Sequence, residues 1–294
     1  MSGKKTEPTS TLETADDQLP LRSCKGLWTY DKLYYLNAYI DRFIVSMKRK
    51  NWRAIHYIDL FAGPGKNLLP DGRVIAGSPL LALTQKHPFD RYFFSDIEPA
   101  NIDILKRRCF LQNASNPKIT FRVGDANEVV KQVVKDINLI DKPITDKWSS
   151  LNLAFLDPEG LELHWDTVEK LAARRTDMII YYSQMGISRE APKEIHQQPP
   201  STIDLFFGDT GWRQIYQKHQ RGEEVFLHRA LLDYYKSKLG AFGYKVDDPL
   251  SEPMFINSKN APMYRLLFVC KSPLGNKFWA DITRNLPSGQ LRLI

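Results

Sequence analysis

Two kinds of apolar pattern alternate along the chain between residues 29 and 182. In one kind, apolar residues recur every three to four positions, as in amphipathic helices; in the other they form short runs that predict buried β-strands. A helix over residues 29–47 comes first. Predicted strands follow, with helices between them, over residues 56–61, 92–95, 119–123, 151–156 and 178–182. This alternation predicts an α/β fold with a mostly parallel, doubly wound sheet.

The regular alternation ends after the fifth predicted strand. Prolines interrupt residues 184–218, so we expect an α-helical or irregular insertion there. A helix is predicted over 223–239, and residues 253–257 and 263–270 are expected to pair as a C-terminal antiparallel hairpin. A last helix is expected over 276–286.

One folded domain accounts for most of the chain. Residues 1–24 are rich in Ser, Thr, Asp, Glu and Pro and show no periodicity, so they predict a flexible N-terminal tail. No internal repeat and no linker divides residues 25–294. They therefore predict a single domain that carries the insertion 184–218.

The composition is that of an ordinary globular protein. Of 294 residues, 43% are apolar and 26% are charged, and no apolar stretch approaches the ~20 residues of a membrane span. The first residues lack the apolar core of a signal peptide, so we expect a cytoplasmic protein without a membrane partner. The three cysteines are scattered and the six histidines show no metal-binding spacing, so the sequence predicts no metal site.

The charge balance favours an anionic partner. Lys and Arg number 41 against 34 Asp and Glu, which gives a formal net charge of +7. Nucleic acid is the first candidate for a partner of such a chain. The basic residues form short clusters at 48–53, 106–108 and 174–175, each of which also fits a solvated helix end.

Glycines follow the first predicted strand, in residues 59–65 with the sequence DLFAGPG. A phosphate-binding P-loop would need glycine at Leu60 and Ser or Thr at Asn67, and a dinucleotide fingerprint would need its third glycine at Leu68. The turn therefore matches neither of these two motifs. A third class of turn, in which an acid ends the strand and small residues follow, binds S-adenosylmethionine (SAM) at the carboxyl ends of the strands.

This turn resembles motif I of the class I SAM-dependent methyltransferases, and later segments match their further motifs in order. The resemblance implies a Rossmann-like class I methyltransferase fold with SAM as cofactor. The implied cofactor-binding residues are Asp59, Phe61, Ala62, Gly63, Gly65, Asp96, Glu98, Asp125 and Ala126. Asp96 aligns with the acid that binds the ribose hydroxyls, with Glu98 as the alternative, and Asp125 aligns with the acid near the adenine. Asp96 and Asp125 also fit as caps of the helices that follow them.

Residues 157–160 stand where amino-methylating members of that superfamily have motif IV. The resemblance implies Asp157, Pro158 and Glu159 as catalytic residues and an amino group of RNA or DNA as methyl acceptor. Glu159 is equally compatible with a base, a helix-start charge or a substrate contact.

Residues 159–160 depart from the usual form of motif IV, in which a proline and an aromatic residue follow Asp-Pro. The aromatic residue of those enzymes stacks on the base that is modified. In this chain such stacking would need Tyr181, Tyr182 or Trp165, each of which also fits a core position.

Over about residues 27–286 the chain also resembles the bacterial three-Cys-motif partner proteins, through residues 61–65, 77–80, 157–160, 264–271 and 275–279. That resemblance implies a partner with a three-cysteine motif, of iron–sulfur or radical-SAM type. Two functions stay open: a SAM-dependent methyltransferase that acts on nucleic acid, or a methyltransferase-like subunit that docks such a partner. Intact Asp96 and Asp125 favour the first function, and the altered motif at 157–160 favours the second.

Overall fold

The computed structural model describes residues 12–112, 118–141, 150–245, 251–257 and 259–285. Its strands are β1 (Arg22–Ser23), β2 (Ala54–Asp59), β3 (Lys66–Leu68), β4 (Val74–Ala76), β5 (Arg91–Asp96), β6 (Lys118–Val123), β7 (Ser150–Leu156), β8 (Thr176–Tyr182), β9 (Met254–Ile256) and β10 (Pro262–Val269). Its helices are α1 (Trp28–Met47), α2 (Ser78–Leu83), α3 (Pro99–Leu111), α4 (Ala126–Asp141), α5 (Trp165–Ala172), α6 (Gln184–Glu194), α7 (Thr202–Phe207), α8 (Gly211–Gln220), α9 (Leu227–Gly240) and α10 (Pro273–Thr283).

Seven strands form the central sheet in the order β6-β5-β2-β7-β8-β10-β9. The five strands from β6 to β8 are parallel to one another, and β10 runs antiparallel to both β8 and β9. The predicted doubly wound sheet and its C-terminal antiparallel hairpin are therefore confirmed. The strand order reverses between β2 and β7, which places the topological switch point between these two strands.

The sheet separates two apolar cores, and successive residues of its strands face opposite cores. Tyr57 and Ile58 of β2 are both fully buried, the first in one core and the second in the other. Helices α1, α2, α3 and α10 contribute to the Tyr57 core, and α4, α5, α7 and α9 contribute to the Ile58 core. A sheet covered on both faces explains why its strands read as continuous apolar runs.

Residues 12–24 are packed against the domain, so the prediction of a flexible tail is wrong for this segment. Leu12 is 1% exposed, and β1 pairs with β3 in a second, three-stranded sheet. Asp17 forms ion pairs with Lys66 and with Arg108 of α3. The polar composition was misleading because Asp17 finds its partners far along the chain. Residues 1–11 lie outside the described residues.

The insertion over 184–218 is helical, with α6 and α7 and most of α8 in it. Ser201 and Asp204 form a capping box at the start of α7, which satisfies two backbone N–H groups at that helix end. The predicted helix over 223–239 is observed as α9, and the last predicted helix as α10. The final predicted residue of that last helix, Leu286, lies outside the described residues. No helix among the described ranges is long and apolar enough to cross a membrane.

Candidate functional site

The glycine turn after β2 lies at the switch point of the sheet. Gly63 and Gly65 have φ values of +60° and +91°, which favour glycine because other residues are strained there. A Cβ atom on Gly65 would also lie 2.8 Å from a methyl carbon of Leu105. Both glycines are therefore required by the path of the backbone, as a close-approach turn demands.

Three hydrogen bonds to β5 and α3 hold this turn. The Ala62 N–H donates to the Ser95 carbonyl oxygen (2.8 Å) and the Gly63 N–H to Asp96 Oδ2 (2.8 Å). From the other side, the buried Arg108 guanidinium donates to the Pro64 carbonyl oxygen (2.7 Å). The turn is thus fixed in shape before any ligand binds.

Asp59 supports the turn from the interior of the protein. Its side chain is fully buried, and its Oδ1 accepts the N–H of Phe61 at 3.3 Å. Burial raises the pKa of this carboxyl to about 7, since an apolar surrounding disfavours the charged form. Asp59 is not among the residues that line the cleft described below. Asp59 therefore supports residues 61–65 from the interior, and its contact with a cofactor stays a prediction.

Asp96 joins the end of β5 to the glycine turn. Its Oδ2 accepts from Gly63, while Oδ1 accepts the Glu98 N–H (2.9 Å) and the Asn101 side-chain amide (3.0 Å). The side chain thus stabilises the start of α3 and remains half-buried beside the turn. Glu98, the alternative acid, is exposed. Ile97 between them is 64% exposed.

Asp125 and Ala126, which were predicted to lie near the adenine of the cofactor, follow a glycine that is hydrogen-bonded to Asp96. The Gly124 N–H donates to the Asp96 carbonyl oxygen (3.0 Å), which brings the end of β6 alongside β5. Asp125 is exposed and its Oδ1 accepts the Asn127 N–H (2.7 Å) at the start of α4. Ala126 is buried in the first turn of that helix. Asp125 therefore caps α4 and also faces solvent beside the Asp96 position.

Asp157 directly follows β7, across the switch point from Asp59. It is 9% exposed and forms an ion pair with Lys32 of α1, whose Nζ lies 2.6 Å from Oδ2 and 2.8 Å from Oδ1. The same ammonium lies 5.8 Å from the ring centre of Tyr181 and 5.7 Å from that of Tyr264. A carboxylate and two aromatic rings thus surround one amine, an arrangement that combines charge pairing with cation–π attraction.

Glu159 lies further out, at the rim. Its carboxylate is 70% exposed and pairs with Arg22 of β1 at 2.7 Å. The Arg22 guanidinium is also near the Gly63 backbone, since it would lie 3.7 Å from a Cβ atom at that glycine. The N-terminal segment therefore connects the glycine turn to the motif at 157–159.

A cleft of about 990 Å³, which includes the space at its open mouth, runs between these groups. Of the predicted residues it contains Phe61, Ala62, Gly63, Gly65, Asp157, Pro158 and Glu159. The remaining predicted residues, Asp59, Asp96, Glu98, Asp125 and Ala126, lie outside its lining. The structure thus divides the predicted set into a cleft on the β7 side of the turn and a half-exposed surface on its β5 and β6 side.

Side chains that were not predicted as site residues complete the cleft. They include Arg22, Cys24, Trp28, Lys32, Met185, Met263 and Tyr264. No local pattern marks them, because they come from residues 22–24 and from α1, α6 and β10, and meet only in the fold. Of the aromatic residues considered for stacking, Tyr181 lines the cleft, whereas Trp165 and Tyr182 pack in the Ile58 core.

The part of the chain that the structure describes contains no group of three or more His, Cys, Asp or Glu side chains placed to hold a metal ion. Cys109 and Cys270 are buried, and Cys24 lies at the cleft. Burial raises the pKa of the Cys109 and Cys270 thiols to about 12, which keeps both protonated near neutral pH.

Comparison with known proteins finds similarity at the level of the fold. No family model matches the chain, and no curated protein matches its sequence. A DUF519 protein from Legionella pneumophila has a TM-score of 0.48 at 10% identity, over 88% of this chain and 93% of its own. Magnesium protoporphyrin IX methyltransferase from Synechocystis PCC 6803, solved with SAH, has a TM-score of 0.37 at 11% identity, over 82% and 84%.

A third similar structure is Trm1 from Pyrococcus horikoshii in complex with SAM, with a TM-score of 0.41 and 10% identity. The match covers 88% of this chain but only 61% of Trm1. Because these TM-scores are all below 0.5, the functional interpretation below depends on this chain's own residues. Membership of the three-Cys-motif partner family stays a prediction.

Proposed function

We propose that this protein is a SAM-dependent methyltransferase that transfers a methyl group to an amino group of RNA or DNA. The observation that carries the proposal is the joint placement of the glycine turn, Asp96 and Asp157 around the switch point of a doubly wound sheet. Ligands of such sheets bind at this point. The bound cofactor would supply a methyl group already activated on a positively charged sulfur.

The cofactor surface is made by the turn and by Asp96. Gly63 and Gly65 let the backbone approach the ligand without an intervening side chain. A carboxylate offers about four acceptor positions, and Gly63, Glu98 and Asn101 use three of those on Asp96. Asp96 therefore retains room for one ribose hydroxyl. Glu98, exposed two residues away, is the candidate for the second.

The acceptor surface is made by Asp157 and the two tyrosines. Asp157 would accept a hydrogen bond from the target amine and orient its lone pair, while the face of Tyr181 or Tyr264 would contact a planar base. Burial raises the pKa of both tyrosines, so they act as neutral rings and hydroxyl donors. The buried Tyr264 hydroxyl has no partner among the described residues, which leaves it available to a bound ligand.

Methyl transfer from a sulfonium needs no protein nucleophile, and catalysis is mainly the positioning of two reactants. This requirement agrees with the site, which offers carboxylates, aromatic rings and a rigid turn. The net charge of +7 supports nucleic acid as the acceptor class.

Calorimetric titration of the purified chain with SAM and with its demethylated product tests the cofactor assignment. We expect both to bind, and we expect Asp96→Asn to weaken both strongly because amide nitrogen cannot accept the ribose bond or the Gly63 N–H. Asp103→Asn, an exposed carboxylate of α3 paired with Lys106, is the matched control and should bind as wild type. Absence of binding to the wild-type chain would refute the proposal.

A further inference from the structure

Two basic clusters that are far apart in sequence meet at the end of the sheet opposite the cleft. Residues 48–53 immediately precede β2, and Arg174 and Arg175 immediately precede β8. Because β2 and β8 are parallel, the first residues of both strands lie at the same end of the sheet. The guanidinium of Arg175 lies 5.1 Å from the ring centre of Trp52, so the two clusters are in direct contact.

A cavity opens between these clusters, and we call it the amino-end basin. Its enclosed part has room for about one water molecule, and the rest of its about 410 Å³ is open to solvent. Its lining residues are Tyr39, Phe43, Met47, Lys50, Trp52, Leu151, Arg175, Asp177, Lys271, Ser272, Gly275 and Phe278. Lysine and arginine thus provide three cationic groups to its wall, and Lys48, Arg49 and Arg53 stand exposed next to it in the chain.

One lining residue of the basin carries a donor that lacks an acceptor. The indole N–H of Trp52 is buried and has no hydrogen-bond partner among the described residues, and the same holds for the Nε–H of Arg174, which precedes the lining residue Arg175 in the chain but lies outside the lining. Neither group can accept a hydrogen bond, and a buried donor left unpaired destabilises the folded protein. The missing complement is therefore an acceptor, and the surrounding cations favour an anionic one.

The carboxylate in the basin lining opposes the binding of an anion only weakly. Asp177 is the one carboxylate in the lining given above, and its Oδ2 accepts the Tyr39 hydroxyl at 3.0 Å. Burial raises its pKa to about 7, so it is partly protonated near neutral pH. Outside the lining, Asp90 pairs with Lys48 at 3.3 Å. Lys271 donates to the Ala172 carbonyl oxygen, which fixes its ammonium at the basin.

The third basic cluster, at residues 106–108, presents fewer cations at the surface. In residues 106–108, Lys106 pairs with Asp103. Arg108 has no exposed side-chain area and is bound to Asp17 and to the Pro64 carbonyl oxygen. Arg108 therefore stabilises the fold, whereas Lys106 and Arg107 are exposed.

We propose that the amino-end basin binds a phosphate group of the nucleic-acid backbone, as a second contact distant from the methyl-transfer cleft. The choice of nucleic acid rests on the proposed function; the anion site rests on the basin alone. Six residues of β2 separate the two ends of the sheet, which corresponds to about 20 Å at ~3.3 Å per residue. A ligand that reaches both sites must therefore be a polynucleotide, whereas a mononucleotide or free phosphate would occupy the basin only.

The test compares two double charge reversals. Lys50→Glu with Arg175→Glu changes the basin, and Lys131→Glu with Arg221→Glu makes the same charge change at exposed positions on α4 and after α8. The probe is a fluorescent 20-nucleotide single-stranded RNA, titrated by anisotropy at several salt concentrations. We expect the basin variant to lose about tenfold in affinity or more and to reduce the salt slope by roughly 0.7, the value for one lost phosphate contact on a single strand.

The same titrations identify how the proposal would fail. Equal losses in the two double variants would show a general charge effect and overturn it, as would an unchanged affinity in the basin variant. Tight binding of inorganic phosphate that does not compete with the RNA would assign the basin to free phosphate and also overturn it. The neutral variant Lys50→Gln with Arg175→Gln should show a smaller loss in the same direction, which guards against misfolding of the charge-reversed protein.

SAM titration of the basin variant separates this inference from the proposed function. We expect its SAM affinity to equal that of wild type, because the basin lies at the other end of the sheet. If the wild type binds RNA through the basin but does not bind SAM, the proposed function fails and the basin stands. If the wild type binds SAM and the basin variant keeps full RNA affinity, the proposed function stands and the basin proposal fails.

Discussion

At the scale of single residues, the ion pair of Lys32 with Asp157 dominates the cleft. Both side chains are close to 90% buried, so removal of one partner leaves the other poorly solvated. We expect Lys32→Met, which keeps the aliphatic stem between the tyrosine rings, to lower the free energy of unfolding by about 1–3 kcal/mol. Chemical denaturation measures this. Lys25→Met, an exposed lysine of the same cleft, is the control and should change it by less than about 0.5 kcal/mol.

A second residue-scale prediction separates the two acids of the motif at 157–159. Asp157 is buried at the acceptor surface, whereas Glu159 is mostly exposed at the rim. We expect Asp157→Ala to reduce methyl transfer by roughly a hundredfold or more while SAM affinity stays near that of wild type. Glu159→Gln should retain most of the activity. Wild-type turnover by Asp157→Ala on the true acceptor would show that the catalytic assignment is wrong.

Asp157 and Lys32 also show which residues a sequence reveals. Asp157 is predictable because it directly follows a strand, within a segment whose spacing resembles a known motif. Lys32 is not, because it lies 125 residues away on α1, on a helix whose pattern indicates only an amphipathic face. Chemistry that comes from one loop can be predicted, whereas chemistry assembled from several elements requires the fold.

At the scale of elements, the N-terminal segment works as a brace for the glycine turn. Asp17 accepts from Arg108 at 2.9 and 3.0 Å, and Arg108 in turn donates to the Pro64 carbonyl oxygen. We expect Asp17→Asn to weaken SAM binding, because a loosened Arg108 no longer fixes the turn. Asp16→Asn, the exposed neighbour, should bind SAM as wild type does. Equal SAM affinity of Asp17→Asn and wild type would exclude the bracing role.

The pH dependence of the stability of Asp17→Asn provides a separate check of the Asp17–Arg108 contact. Hydrogen bonding to Arg108 holds the pKa of Asp17 well below its usual range. A carboxyl with a depressed folded-state pKa stabilises the protein above its unfolded pKa of about 3.9, and this contribution is lost as the pH falls further. The stability difference between wild type and Asp17→Asn, measured by denaturation, should therefore be larger at pH 7 than at pH 3.

The same scale explains the elements that the sequence missed. Strands β1, β3 and β4 have two or three residues each, too few to produce a period. They exist because the glycine turn returns the chain alongside residues 22–23. The five strands from β6 to β8 have six or seven residues each, and most are apolar enough on both faces to be predicted from their pattern.

At the scale of the whole molecule, one sheet separates two chemical environments. Its carboxyl end holds Asp96, Asp157 and the glycine turn, and its amino end holds the basin with Lys50 and Arg175. Both ends result from the parallel arrangement of the strands, because each of the five strands from β6 to β8 begins at the amino end of the sheet and finishes at its carboxyl end. A nucleic acid that contacts both ends would be held in place by its backbone while one base enters the cleft.

Buried carboxyls at these two ends make the stability of the whole molecule depend on pH. Burial raises the pKa of both Asp59 and Asp177 to about 7, whereas each has a pKa of about 3.9 in the unfolded chain. Between these values the folded state binds more protons than the unfolded state. Each group therefore lowers the free energy of unfolding as the pH rises from about 4 to 7, and the loss is complete above pH 7.

Asp177→Asn isolates one of these contributions, since asparagine can still accept the Tyr39 hydroxyl but cannot ionise. We expect the stability of this variant relative to wild type to increase from pH 4 to pH 7 and then to level off. Thermal or chemical denaturation across that range measures the difference, and Asp233→Asn on the exposed side of α9 should show no such trend. A difference that stays constant with pH would mean that Asp177 ionises in the folded protein as readily as in water, so that its burial is compensated by the cations of the basin.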